Sequence, residues 1–116
     1  MDCSQALKAL LAQAEAGTVL RSADAFDAFQ MVLGGRDIWL HACKASQGSL
    51  DAAKAMHDAA LPGWRALISA HLAWVDIWDP TNTATINTPI RAGATDPARA
   101  WLMAILRALI AQEAAE

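Results

Sequence analysis

Apolar and polar positions divide the chain into stretches of helical spacing and one stretch of alternation. Over residues 4–16, Leu7, Leu10, Leu11 and Ala14 recur at the three-and-four spacing of a single buried helical stripe. Gly17 is the expected stop. A second helix is predicted from Ser22, a good N-cap, to Leu33, with Phe26, Phe29 and Leu33 on one face and Gly34-Gly35 ending it. A third begins at Ser49, with Asp51 placed in the first turn where the helix dipole favours an acid. Its inner face is read as Leu50, Ala53, Met56 or His57, and Ala60. It is cut by Leu61-Pro62-Gly63-Trp64: proline disfavours helical geometry at Leu61, and glycine permits a reversal.

Two stretches are ambiguous. In RDIWLHACKASQGS, residues 36–49, Ile38, Leu40 and Ala42 alternate with Trp39, His41 and Cys43, which suggests a short strand; a loop tucking Trp39 beneath the domain fits nearly as well. In WRALISAHLAWVDIW, residues 64–78, a helix would align Trp64, Leu67, Ile68, His71, Leu72 and Val75. A hairpin turning near Ala70 would instead set Trp64, Ala66 and Ile68 on the first strand. Its second strand would put Leu72, Trp74, Asp76 and Trp78 on one face and Ala73, Val75 and Ile77 on the other. The Asn-Gly signal of a tight hairpin is missing, but Val75 to Trp78 is rich in β-branched and aromatic residues. Asp79-Pro80-Thr81-Asn82 reads as a turn. TATINTPIRA, residues 83–92, then reads as a third strand with Ala84, Ile86 and Ile90 inward, held at an edge or bulged by Pro89. The last helix has the clearest start, with Asp96 as cap and Pro97 in the first helical position. Trp101, Leu102, Ile105 and Leu109 form one stripe, and Met103, Leu106 and Ile110 a second ridge beside it. A helix so widely apolar needs more than one sheet face to cover it.

Composition sharpens this picture. The 116 residues are one domain by length, with a helical part over 1–48 and a helix-strands-helix core over 49–116. About a quarter of the chain is alanine, far above ordinary usage. Alanine favours helix but buries little area, so the five tryptophans carry a large share of the core. The net charge of −3 and pI of about 5.5, with scattered Lys and Arg, argue against a nucleic-acid footprint. The N-terminal MDCSQALKAL lacks the pattern of a secretory signal. AWLMAILRALIA, the longest apolar segment, contains Arg107 and is too short to span a bilayer. Two cysteines, Cys3 and Cys43, are no disulfide framework and fit a bacterial cytoplasm.

Chemistry is sparse. His41, Cys43, His57 and His71 match no zinc-ligand spacing and would have to converge from separate elements. His57, in mid-face of an apolar helix, reads more simply as a satisfied core histidine. Cys43 with a histidine lacks any oxyanion or phosphate-binding loop. No catalytic residue, metal or cofactor is assigned. Trp74, Asp76 and Trp78, on one strand face, are the candidate ligand or partner site; the plainer alternative is a face covered by the last helix. Asp76 argues for openness or a partner such as Arg65 or Arg91, because an unpaired carboxylate is costly to bury. Met103, Leu106 and Ile110 are either core or an oligomer interface, depending on whether the N-terminal helices cover them.

Three stretches carry a resemblance: SLDAA opening a helix (residues 49–53), LPGW closing it (61–64), and PARAWLMAILRA (97–108). With LLAQAEAG near the start, they are similar, in the same order, to small proteins of phages and prophages, many from alphaproteobacteria, of the phage ABA-sandwich domain type. The chain departs from that pattern in the hairpin, where it has Ala66 and Ser69-Ala70-His71. The resemblance implies helices on the faces of a small antiparallel sheet, with Trp64 opening the first strand, and carries over no catalytic residue. The expectation is therefore α+β: a three-stranded antiparallel sheet covered by about four helices as a helix-sheet-helix sandwich, with a mostly α fold if residues 64–75 are helical. The function expected is non-enzymatic protein binding by a phage or prophage accessory protein, in its sharpest version a host-directed inhibitor of bacterial defence. A virion or assembly protein and a small-ligand binder are the alternatives. A protein partner and a homodimer are expected; nucleic acid and membrane are not.

Overall fold

A computed structural model describes residues 3–17, 27, 30, 36–69, 71 and 73–115. In chain order the described elements are α1 (Cys3–Glu15), α2 (Arg36–Ser46), α3 (Leu50–Ala60), β1 (Arg65–Ser69), β2 (Trp74–Trp78), α4 (Thr83–Asn87), β3 (Ile90–Gly93) and α5 (Pro97–Ala115). The class is α+β with a three-stranded antiparallel sheet in the order β1-β2-β3. The helix expected over 22–33, with Phe26, Phe29 and Leu33, and the Gly34-Gly35 stop lie outside the described residues, apart from Asp27 and Gln30.

The last helix, α5, is the hub. Asp96 starts it as its sequence requires: the carboxylate accepts the Arg99 N–H at 2.8 Å. From there the helix is buried almost all round, including Ala100 to Leu106, Ala108 and Leu109. Each fully buried Leu or Ile contributes about 1.5–3 kcal/mol of transfer free energy. Such a helix cannot lie on a surface. It packs against α1, α2 and α3 and against the inner face of the sheet. Met103 and Leu106 are core and offer no free area for an oligomer interface; Ile110, at the end of the ridge, is half-buried. The N-terminal helix α1 supplies part of the cover, with Ala6, Leu7, Leu10 and Ala14 fully inside, and Gly17 (φ +80°) ends it in the left-handed region.

Residues 36–46 are helix, neither strand nor loop. Ala42, Cys43, Ala45 and Ser46 are buried, with Ile38 and Trp39 one turn earlier half-buried, while Leu40 is exposed. The period is therefore helical: the alternation of Ile38, Leu40 and Ala42 with Trp39, His41 and Cys43 does not match the burial, because Leu40 is exposed and Ala42 and Cys43 are both buried. The end of α2 shows why. Gly48 (φ +103°) donates to the Ala45 carbonyl at 3.0 Å and Ser49 donates to Lys44 at 3.1 Å, a Schellman stop. Ser49 then caps α3, accepting the Ala52 N–H at 3.2 Å. Ala52, Ala53, Met56 and His57 form the inner face of α3; Leu50, expected there, is exposed.

The cut after α3 is a β-turn. The Trp64 N–H donates to the Leu61 carbonyl at 3.1 Å, with Pro62 second and Gly63 third at φ +84°, the pattern of a type II turn. The chain leaves as β1, and the hairpin reading of 64–78 holds. β1 pairs with β2 in the register Arg65↔Trp78, Leu67↔Asp76, Ser69↔Trp74. The third strand is shorter than expected. Asn82 accepts the Ala84 N–H at 3.0 Å and caps α4, leaving Ala84 and Ile86 exposed on a helix. Thr85 locks this turn by bonding both the N–H and the carbonyl of Asp79. The strand begins only at Ile90, one residue beyond Pro89, at the sheet edge.

Candidate functional site

Alternation along β2 sends its side chains to two environments. Val75 and Ile77 are fully buried and face α5. Trp74, Asp76 and Trp78 point the other way, so the last helix does not cover them. The register places Arg65 beside Trp78, Leu67 and Arg91 on either side of Asp76, and Ser69 and Gly93 on either side of Trp74. This outer face is amphipathic. Leu67, 55% exposed, is the most exposed large apolar side chain among the described residues.

Asp76 is paired. Arg91 donates from Nε to Oδ1 at 2.7 Å and from Nη2 to Oδ2 at 2.8 Å, a planar two-pronged bridge. The Asp76 side chain is 12% exposed and the Arg91 side chain 61%. Hydrogen bonding to Asp76 raises the Arg91 pKa above its usual value. The guanidinium also lies 4.3 Å from the Trp74 ring centroid, a cation–π contact. Strand pairing brings these three residues together across the β2–β3 step. The result is a stiff plate: Trp74, a guanidinium fixed on it, and Trp78 two strand repeats along from Trp74. Of the two arginines that the sequence offers Asp76, Arg91 is the partner; Arg65 sits beside Trp78. Leu67 was not anticipated as part of the site. Its signal was its place between Arg65 and Ser69, on the face whose other β1 positions are polar.

The histidines and cysteine do not converge. No group of three or more His, Cys, Asp or Glu side chains suited to a metal occurs among the described residues. His57 is buried with both ring nitrogens engaged. The Trp101 indole donates to Nδ1 at 3.1 Å, and Nε2 lies 2.9 Å from the Trp64 carbonyl. An indole only donates and a carbonyl only accepts, so the ring carries its proton on Nε2. His57 thus ties α3, the turn and α5 together. Cys43 is buried in α2, within 3.5 Å of Gln47 Nε2. Arg99, unmarked in the sequence, is a second tie. It donates to the Ser46 carbonyl at the end of α2 and lies 3.9 Å from the Asp96 carboxylate, a favourable place for a cation.

Compared with known proteins, the chain matches no family model, no curated protein and no solved structure. Among the described residues no helix is long and apolar enough to cross a membrane.

Proposed function

We propose that the protein works by binding another protein, without catalysis, through the outer face of its sheet. The observation that carries this reading is the plate of Trp74, the Asp76-held Arg91 and Trp78, open beside the exposed Leu67. Aromatic and arginine side chains dominate binding energy at protein interfaces. Here the arginine is already fixed, so little side-chain entropy is lost on docking. The resemblance of residues 49–64 and 97–108 to small phage-encoded proteins supplies the setting: an accessory protein in a bacterial host cytoplasm, in its sharpest form an inhibitor of a host defence component.

The test is affinity capture from host lysate with the intact protein and with Trp78→Ala side by side. A host protein retained in stoichiometric amount by the first and lost by the second is the expected result. Capture of head or tail proteins in its place would move the role to virion assembly. Equal capture by both forms, or none across several hosts, would sink the proposal.

A further inference from the structure

The bonding phase of the sheet determines what its free edge offers. Just past the Trp74↔Gly93 pair, the Ala94 N–H donates to the Ala73 carbonyl at 3.0 Å. Bonded and non-bonded pairs alternate in an antiparallel ladder. Val75↔Ala92 and Ile77↔Ile90 are therefore the bonded pairs toward β3. Trp74, Asp76 and Trp78 turn their backbone groups to β1, where Ser69, Leu67 and Arg65 meet them. The remaining β1 residues, Ala66 and Ile68, aim their N–H and C=O groups away from the sheet. Among the described residues nothing bonds to those groups. The opposite edge is guarded: Arg107 Nη1 donates to the outward Arg91 carbonyl at 2.7 Å, and Pro89 precedes the strand. β1 has neither a proline nor a lysine, and its one charge, Arg65, lies at its end. Natural proteins rarely leave such an edge open.

We propose that β1 pairs antiparallel with β1 of a second copy, about a two-fold axis passing beside Leu67. In this register Ala66 bonds Ile68 of the second copy, and Ile68 its Ala66, so all the outward groups of both residues are used. Leu67 meets Leu67 of the second copy as a non-bonded pair, the kind in which side chains approach most closely. Arg65 falls opposite Ser69 of the second copy, so no like charges oppose. Beneath the sheet, α5 lies under β2 and β3 and only reaches β1, which leaves Ala66 and Ile68 half-buried and able to pack across the axis. The interface is isologous and closes at two copies. It yields a six-stranded sheet with both outer faces on the same side, doubling the tryptophan plate. The inference rests on the edge alone and stands or falls apart from the binding role above.

The test is the mass of the full chain in solution, by sedimentation and native mass spectrometry, together with cross-linking. A five-residue edge makes a small interface, so the dimer should build up with concentration, over about 1–500 µM. Leu67→Lys, on an exposed position, should weaken self-association by about 100-fold or more while leaving the circular dichroism unchanged. Leu67→Cys should oxidise to a disulfide between copies, identified by peptide mapping, because paired Cα atoms about 4.5 Å apart suit that bond. Arg65→Cys should not, since its two copies lie about 14 Å apart along the strands. A chain that stays monomeric throughout, a dimer that Leu67→Lys leaves intact, or equal cross-linking at 65 and 67 would each overturn the proposal.

Discussion

The two faces of β2 are built from five consecutive residues, yet they obey different rules. On the inner face, Val75 and Ile77 meet α5 with no exposed area. On the outer face, Trp74 and Trp78 flank a carboxylate that is nearly as buried but satisfied by a single arginine. The inner face is held by volume and the outer face by pairing. The sealed side has its own polar device in His57, whose buried ring accepts from the buried Trp101 indole and reaches the part-buried Trp64 carbonyl. The open side's device, Asp76 with Arg91, keeps one partner in solvent. A polar group inside needs every bond made, while at the rim water can replace a lost one.

The largest expected effect separates the two faces directly. Ile77→Ala removes a fully buried side chain against α5 and should lower stability by about 2–5 kcal/mol, as large-to-small core changes do. Trp78→Ala, a larger truncation one residue away, should cost less, because Trp78 lies on the outer face and keeps part of its surface in solvent. Urea unfolding of both variants measures the difference. A Trp78 change as damaging as the Ile77 change would mean that the outer face is structural, and the contrast would fail.

His57 sharpens the sealed side. His57→Leu keeps roughly the same volume but strands the Trp101 indole N–H and the Trp64 carbonyl. The expected loss is about 1–3 kcal/mol, the cost of leaving buried polar groups unmade. Unchanged stability would show that packing alone holds α3, the turn and α5 together.

Much of this was legible in the sequence where a local signal and the burial pattern agreed. Asp96-Pro97, Ser49 and Pro62-Gly63 each gave a boundary with a mechanism, and the structure uses all three. Where the apolar period spans only a few residues, strand and helix are not distinguishable from it. Residues 36–46 carry a short run of alternation, Ile38, Leu40 and Ala42 against Trp39, His41 and Cys43, that burial does not follow, while Gly48-Ser49 form the stop and start of two successive helices. Residues 83–88 looked like strand from their threonines and isoleucine, but Asn82 and Thr85 were cap and lock for a helical turn, side-chain bonds that compete with the sheet. Of the site, Trp74, Asp76 and Trp78 followed from alternation. The choice of Arg91 over Arg65 did not, because it depends on the pairing register of β3, which no local pattern sets. Leu67 and the free edge were hidden for the same reason: an edge is a property of strand order.

The smallest effect tests the pairing rule itself. Arg91→Ala leaves the Asp76 carboxylate nearly buried with no cation beside it, and bares Trp74. Asp76→Ala leaves an arginine whose side chain is already mostly exposed and can stay stacked on Trp74. The two deletions break the same bridge, so a symmetric interaction would make them equal. Desolvation makes them unequal: Arg91→Ala should lower the melting temperature more than Asp76→Ala. The double variant should fall close to Asp76→Ala alone, since removing the carboxylate also removes the reason the arginine was needed. A double-mutant cycle by thermal unfolding separates this coupling from the single losses. Equal shifts, or a larger one for Asp76→Ala, would mean that the carboxylate finds water on the outer face as readily as the guanidinium does. The two sides of β2 would then differ in exposure alone.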